Sequence, residues 1–177
     1  SITFSRELWI EETDFAEVPP KGFRRLTVPA DGSPAKPVRL RYGYVIVPTS
    51  FEKDAEGRVT VVHANYLPET KSGTEGSMSV KTKATIHWLD AQTARAAEFR
   101  VYDRLFNEPN PEAGEGTFLD HLTPNSKTIL QGYVEPCTAD AANEERFQFE
   151  RTGYFVADRK DHAPEHPVFN LSVGLRM

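Results

Sequence analysis

Two short stretches hold side chains able to do chemistry on a partner. In "KPVRLRYGYVIV", residues 36–47, Val38, Leu40, Tyr42 and Tyr44 alternate with Arg39, Arg41, Gly43 and Val45. Period two marks a half-buried strand, so Val38 and Leu40 should point into a core and leave Arg39 and Arg41 together on the exposed face. Two guanidinium groups side by side repel one another and call for an anion. In "RFQFERTGYF", residues 146–155, Phe147 and Phe149 share one face, which leaves Gln148 and Glu150 on the other. Thr152-Gly153 should make the tight turn, with Arg151 at the end of the hairpin. Gln, Glu and Arg supply donors, acceptors and a planar cation, the set that reads the edge of an unstacked base. They equally suit an exposed Glu–Arg pair of little energetic weight.

The charge distribution sharpens the first of these. The 177 residues carry a net charge of -5, which argues against indiscriminate coating of nucleic acid. Yet residues 21–41 hold Lys21, Arg24, Arg25, Lys36, Arg39 and Arg41 against Asp31 alone. The acidic excess lies in "WIEETDFAE", "EPNPEAGEGTFLD" and "TADAANEE". A basic face on an acidic body is either a polyanion site or a solvated surface. The single cysteine, Cys137, excludes an internal disulfide and suits a reducing compartment. No run approaches 18 apolar residues, and "SITFSRELWI" lacks the apolar core of a signal peptide, so a cytoplasmic chain without a membrane helix is expected.

The elements that must position these residues are strands. "FRRLTV", "VRLRYGYVIV", "RVTVVHANY", "SVKTKATIHWL", "EFRVYDRLF", "TILQGYVEP", "RFQFER", "GYFVAD" and "PVFNLSVGLR" are rich in β-branched and aromatic residues. Most of the Gly and Pro fall between them, in clusters such as "PADGSPAKP" and "NEPNPEAGEG". Only "DAQTARAA" and "TFLDHL" suggest helical turns. The fold class expected is all-β, a barrel or a sandwich.

Other chemistries are not encoded. No Gly-rich phosphate loop is present. In "HAPEH", Pro164 spoils the helix that would bring His162 and His166 to one metal. Cys137 follows Pro136 without a neighbouring histidine, so an inert thiol is expected, and His87 in "TIHWL" reads as an exposed strand position. No catalytic residue and no metal ligand is expected in this segment.

Taken in order, "VRLRYGYVI", "EKDAEG", "IHW", "RVYDRLF", "PNP", "FQFERTGYF" and "PVFN" followed by "VGLR" resemble the C-terminal anticodon-binding region of bacterial-type glutaminyl-tRNA synthetases. The resemblance runs from "FSRELWIEETDF" to "VGLR". It implies two antiparallel six-stranded β-barrels: a distal one over residues 21–106, and a proximal one from 1–20 and 107–177 that lacks its first strands. It implies tRNA anticodon binding by Arg24 and Arg25 near the third base, Arg39 and Arg41 at the first, and Gln148, Glu150 and Arg151 around the middle base. Arg176 would lie near the tRNA backbone. Tyr42 stands where the family pattern has Asn, so a polar contact there would become stacking. The implied partners are the anticodon loop of a glutamine tRNA and the upstream catalytic domain of the same enzyme, with ATP and Mg confined to that domain. No cofactor, DNA or membrane is expected for this segment, and a monomer is.

Three alternatives remain open at this point. Archaeal and eukaryotic glutamyl-tRNA synthetases share the architecture; a stand-alone barrel binding ribosomal RNA would show a similar fold; and a non-RNA β-sandwich would merely solvate its arginines.

Overall fold

The computed structural model of the protein describes residues 3–113 and 116–175. The chain forms two compact units, Ser1–Gln92 and Thr93–Met177. Strands dominate both, and the only α-helix among the described residues is the single turn α1, Pro136–Ala139. The all-β expectation holds.

In the first unit, β2 (Val38–Leu40), β3 (Val45–Lys53), β4 (Val59–Leu67) and β5 (Thr85–Ile86) form a sheet of order β4-β3-β2-β5. A two-stranded ribbon pairs β1 (Leu8–Trp9) with β6 (Leu89–Asp90). Leu26, Val38, Leu40, Ile46, Ile86 and Trp88 are buried together, and Phe4, Leu8, Ile10, Phe15 and Ala84 pack on them. The apolar half of the "VRL" alternation thus supplies the centre of this core. Asp54 accepts from the backbone N–H groups of Glu56 and Arg58, which fixes the β3–β4 turn in "EKDAEGR".

In the second unit, β7 (Arg95–Tyr102), β8 (Lys127–Val134), β9 (Arg146–Phe149), β10 (Gly153–Ala157) and β11 (Val168–Gly174) form a sheet of order β8-β7-β11-β10-β9. Its core is built on phenylalanine. Phe155 and Phe169 are buried with Ala97, Val134, Ala139 and Ala157, and Phe99, Phe147 and Phe149 close over them. Their rings meet mostly edge to face at 5.4–5.8 Å, the packing the ring quadrupole favours. Buried His162 is held by backbone: Val168 N–H donates to its Nδ1, and its Nε2 lies 3.1 Å from the Ala141 carbonyl.

Two expectations differ from this fold, in strand direction and at one helical turn. The sheets are mixed rather than antiparallel, because β2 pairs in parallel with β5 and β11 with β7. Among the ladders of the described residues, β8 and β9 are the edges of one sheet and β4 and β5 of the other. The compact units are Ser1–Gln92 and Thr93–Met177, set beside the expected 21–106 and 1–20 with 107–177. Residues 1–20 belong with the first core, where Leu8 and Trp9 ladder with Asp90 and Leu89 and Phe15 bridges Leu26. Residues 95–102 form β7, placed between β8 and β11 of the second sheet. Finally, "DAQTARAA" is a turn running into that strand, where Ala97 fills the core and overrides helix propensity. "TFLDHL" does form a 3-10 turn, capped reciprocally by Thr117 and Asp120.

Candidate nucleic-acid interface

The run "VRLRYGYVIV" is a hairpin, not one strand. β2 ends at Leu40, the chain turns through Arg41, Tyr42 and Gly43, and β3 begins at Val45. The Gly43 N–H donates to the Leu40 carbonyl at 2.9 Å, and Tyr42 takes a left-handed conformation with φ 57. Position 43 is crowded, which favours glycine. A Cβ there would lie 3.2 Å from both Leu40 Cβ and Trp88 Cζ2. The turn is secured from below: Trp88 Nε1 donates to the Arg41 carbonyl, and the Ser72 hydroxyl and N–H both donate to the Gly43 carbonyl.

This geometry separates the two arginines that alternation placed side by side. Arg39 lies along the fold, where Nη1 donates to the Thr70 carbonyl at 3.0 Å and to Ser72 Oγ, and Nη2 donates to the Ser77 carbonyl. Its guanidinium ties the loop 68–78 to β2. Arg41 sits in the exposed turn with its guanidinium carbon 5.0 Å from the centre of the Tyr42 ring. Tyr42 itself is 68% exposed, so cation and ring are presented outward together. The common exposed face expected for Arg39 and Arg41 is therefore corrected, because the strand ends between them.

The neighbouring pair Arg24 and Arg25 also divides. Arg25 Nε stands 3.3 Å from Oδ1 of the fully buried Asp14, and its Nη1 donates to the Thr13 carbonyl. Arg24 is exposed and has no side-chain partner among the described residues. Both line a concavity of about 380 Å³ with Gly22, Phe23, Lys83, Ala84 and Thr85. "FRRLTV" is thus an extended segment with one bridge, Leu26 to Phe15, and not the strand its composition suggested.

In the second unit, β9 and β10 form the expected hairpin, with Phe149 opposite Gly153 and Gln148 opposite Tyr154. The turn is one residue earlier than the sequence suggested: Glu150, Arg151 and Thr152 form it, closed by the Thr152 N–H on the Phe149 carbonyl. Arg151 takes φ 63. Gly153 belongs to the strand, since a Cβ there would meet Leu171 Cδ1 and the Val173 carbonyl oxygen at 2.8 Å each. Phe147 and Phe149 stack 5.9 Å apart on the core face. Gln148 and Tyr154 stand exposed on the opposite face. Glu150 and Arg151 are half-buried in the turn between them, each with a partner. A flat ring beside amide, carboxylate and guanidinium groups can stack on a base and bond its edge.

The same sheet carries a polar network on β7 and β11. Arg100 Nε donates to Glu98 Oε1 at 2.6 Å, and its Nη1 reaches Asp161 at 2.7 Å and Asp158 at 3.4 Å. The Asn170 amide donates to Asp158 Oδ2 at 2.7 Å, and the Tyr102 hydroxyl donates to Asn170. The Asn170 bond, helped by the backbone N–H groups of Asp161 and Lys160 and by the Arg100 charge, holds the Asp158 carboxyl down at about 2. This cluster is internally satisfied and holds β11 against β7.

Arg176 lies outside the described residues. Tyr154 and Lys83 were not singled out from the sequence. Alternation in "GYFVA" around Phe155 could have exposed Tyr154, whereas Lys83 and Arg24, far apart in the chain, come to one concavity only on folding. Among the described residues no group of three or more His, Cys, Asp and Glu is arranged to hold a metal ion, and no helix is long and apolar enough to cross a membrane.

Comparison with known proteins places these features in a family. Residues 1–67 and 85–158 match two family models, both described as the anti-codon binding domain of class I tRNA synthetases (E and Q). The chain is 60% identical over 172 residues to a glutamine–tRNA ligase of Cupriavidus metallidurans, covering 97% of this chain and 28% of that protein. It is 52% identical over 175 residues to the glutamine–tRNA ligase of Polynucleobacter asymbioticus, and 46% identical to that of Nitrosomonas europaea, in each case covering 99% of this chain and 30% of the relative. It thus spans less than a third of the length of these relatives. The chain belongs to the anticodon-binding domains of the class I tRNA synthetases for glutamate and glutamine.

Proposed function

We propose that this chain is the module by which a glutaminyl-tRNA synthetase recognises the anticodon loop of a glutamine tRNA. The observation that carries the reading is the β9–β10 hairpin, in which "FQFER" sets Gln148 beside Tyr154 and holds Arg151 in a left-handed turn. A non-glycine residue at positive φ is costly and tends to persist where its side chain has work to do. In this reading Gln148, Glu150 and Arg151 surround the middle anticodon base, and Tyr154 offers it a stacking face. Arg41 and Tyr42 meet the first base, Arg24 lies near the third, and Arg176 meets the backbone. Arg39 and Arg25 act from behind, by securing the elements that carry Arg41 and Arg24. The segment itself performs no chemistry. Ligation of glutamine with ATP and Mg belongs to a catalytic domain of the same enzyme, a monomer in the cytoplasm.

The test is a two-by-two comparison of wild type and Arg151→Ala with a glutamine tRNA and one altered only at the middle base. A buried polar group left unpaired by the wrong base costs about 1–3 kcal/mol, so wild type should prefer the cognate tRNA by tenfold or more. Arg151→Ala should narrow that gap, and Gln148→Ala should narrow it less. Equal discrimination by mutant and wild type would reduce the hairpin to a structural feature.

A further inference from the structure

The concavity of the first unit brings together two cations from distant parts of the chain. Arg24 and Lys83 are both exposed, neither has a partner among the described residues, and no carboxylate lines the space between them. In a chain with 26 acidic residues, such an opening without a counter-charge is unusual. The third cation of the lining, Arg25, is already matched by Asp14, which leaves two free charges.

The backbone next to each cation is anchored. On one side the Leu26 N–H donates to the Asp14 carbonyl and the Ala16 N–H to the Leu26 carbonyl. On the other, the Arg39 N–H donates to the Ala84 carbonyl, and Thr85 is in register with Arg39. The two ammonium and guanidinium stems therefore leave fixed ground beside one opening, with Phe23 and Thr85 as its remaining side chains.

We propose that Lys83, with Arg24, holds one phosphodiester group of the bound RNA at this concavity. This rests on the RNA-binding reading above and adds a residue to it. A lysine is a compact point charge suited to phosphate and poorly suited to reading a base edge, so its contribution is to affinity and not to sequence discrimination.

The experiment measures binding of a glutamine tRNA, and of one altered at the middle anticodon base, across a salt series. Wild type, Lys83→Ala and Arg151→Ala are compared in the full-length protein, with circular dichroism as the check on folding. Removing one phosphate contact from a single strand should lower the slope of log affinity against log salt by about 0.7. Lys83→Ala should therefore weaken both tRNAs by the same factor, roughly three- to tenfold, and leave their ratio unchanged. Unchanged affinity and slope in Lys83→Ala, with Arg151→Ala still impaired, would overturn the Lys83 assignment and leave the RNA reading intact. A loss confined to one of the two tRNAs would also overturn it, by making Lys83 a base contact. Failure of wild type to bind either tRNA would overturn both readings.

Discussion

The two hairpin turns of this molecule solve one problem with different materials. The β2–β3 turn and the β9–β10 turn each hold a non-glycine residue in the left-handed region, Tyr42 at φ 57 and Arg151 at φ 63. In the first, the turn is pinned by polar groups: Trp88 Nε1 and the Ser72 hydroxyl hold its carbonyls, and Arg39 secures the loop that carries Ser72. In the second, the turn is carried by a hairpin glued to a phenylalanine core, and its glycine lets β10 approach β11. Polar pinning places a turn through individual bonds, each of which can be removed singly. Apolar gluing places it through the whole hairpin, so a defect anywhere in the hairpin reaches the turn.

That contrast can be broken at its glycines. Gly153→Ala would put a methyl group against a backbone oxygen, which cannot rotate away, and should destabilise the second unit by about 2–3 kcal/mol in urea unfolding. Gly43→Ala meets the Leu40 and Trp88 side chains at 3.2 Å, which can give slightly, and should cost less than about 1 kcal/mol. Equal costs would mean that the two turns are held alike.

Arginine substitutions sharpen it next. Arg39→Ala strips the Thr70 and Ser77 carbonyls of their donor and should cost about 2 kcal/mol. Arg41→Ala, in the exposed turn, should stay within about 0.5 kcal/mol while weakening RNA binding. Stability that changed little in both variants would restore the common exposed face that alternation suggested.

Acid should single out the second unit. Asp158 has its carboxyl held at about 2, below its unfolded value near 4. Its stabilisation is therefore complete above about pH 4 and is lost as pH falls through 2, on the order of 2 kcal/mol. Asp158→Asn should flatten the stability profile of that unit over this range. An unaltered profile would show that the Arg100 network contributes nothing that titrates.

The smallest stability effects are expected at the left-handed residues. Tyr42→Gly and Arg151→Gly relieve backbone strain but loosen the unfolded chain, so thermal unfolding should show a net change below about 1 kcal/mol. RNA binding should fall in both. A large stability loss instead would mark the side chains as structural.

Alternation made the all-β class legible, and the faces of "FQF" followed from Phe147 and Phe149. The same rule failed at "VRLRYGYVIV", because the period-two pattern ran unbroken through a turn whose only local sign was Gly43. Gly153 misled in the opposite sense. Beside Thr152 it reads as a turn residue, whereas its smallness is demanded by Leu171 and Val173, more than fifteen residues further along the chain. Arg24 and Lys83 both lie outside the strands and far apart in the chain, so no periodic signal brings them to one concavity.

The bonds to the Arg41 and Gly43 carbonyls matter for recognition in another currency, conformational entropy. With both carbonyls held and Arg39 bracing the loop beneath, the turn has few alternatives to its bound shape. A flexible turn would have to be ordered at about 1–2 kcal/mol per residue when RNA arrived. Here that ordering is completed during folding, so in the proposed RNA complex the cost of association would fall mainly on the RNA, whose bases would unstack. Loosening Ser72 or Trp88 should then weaken binding without removing a single contact to the nucleic acid.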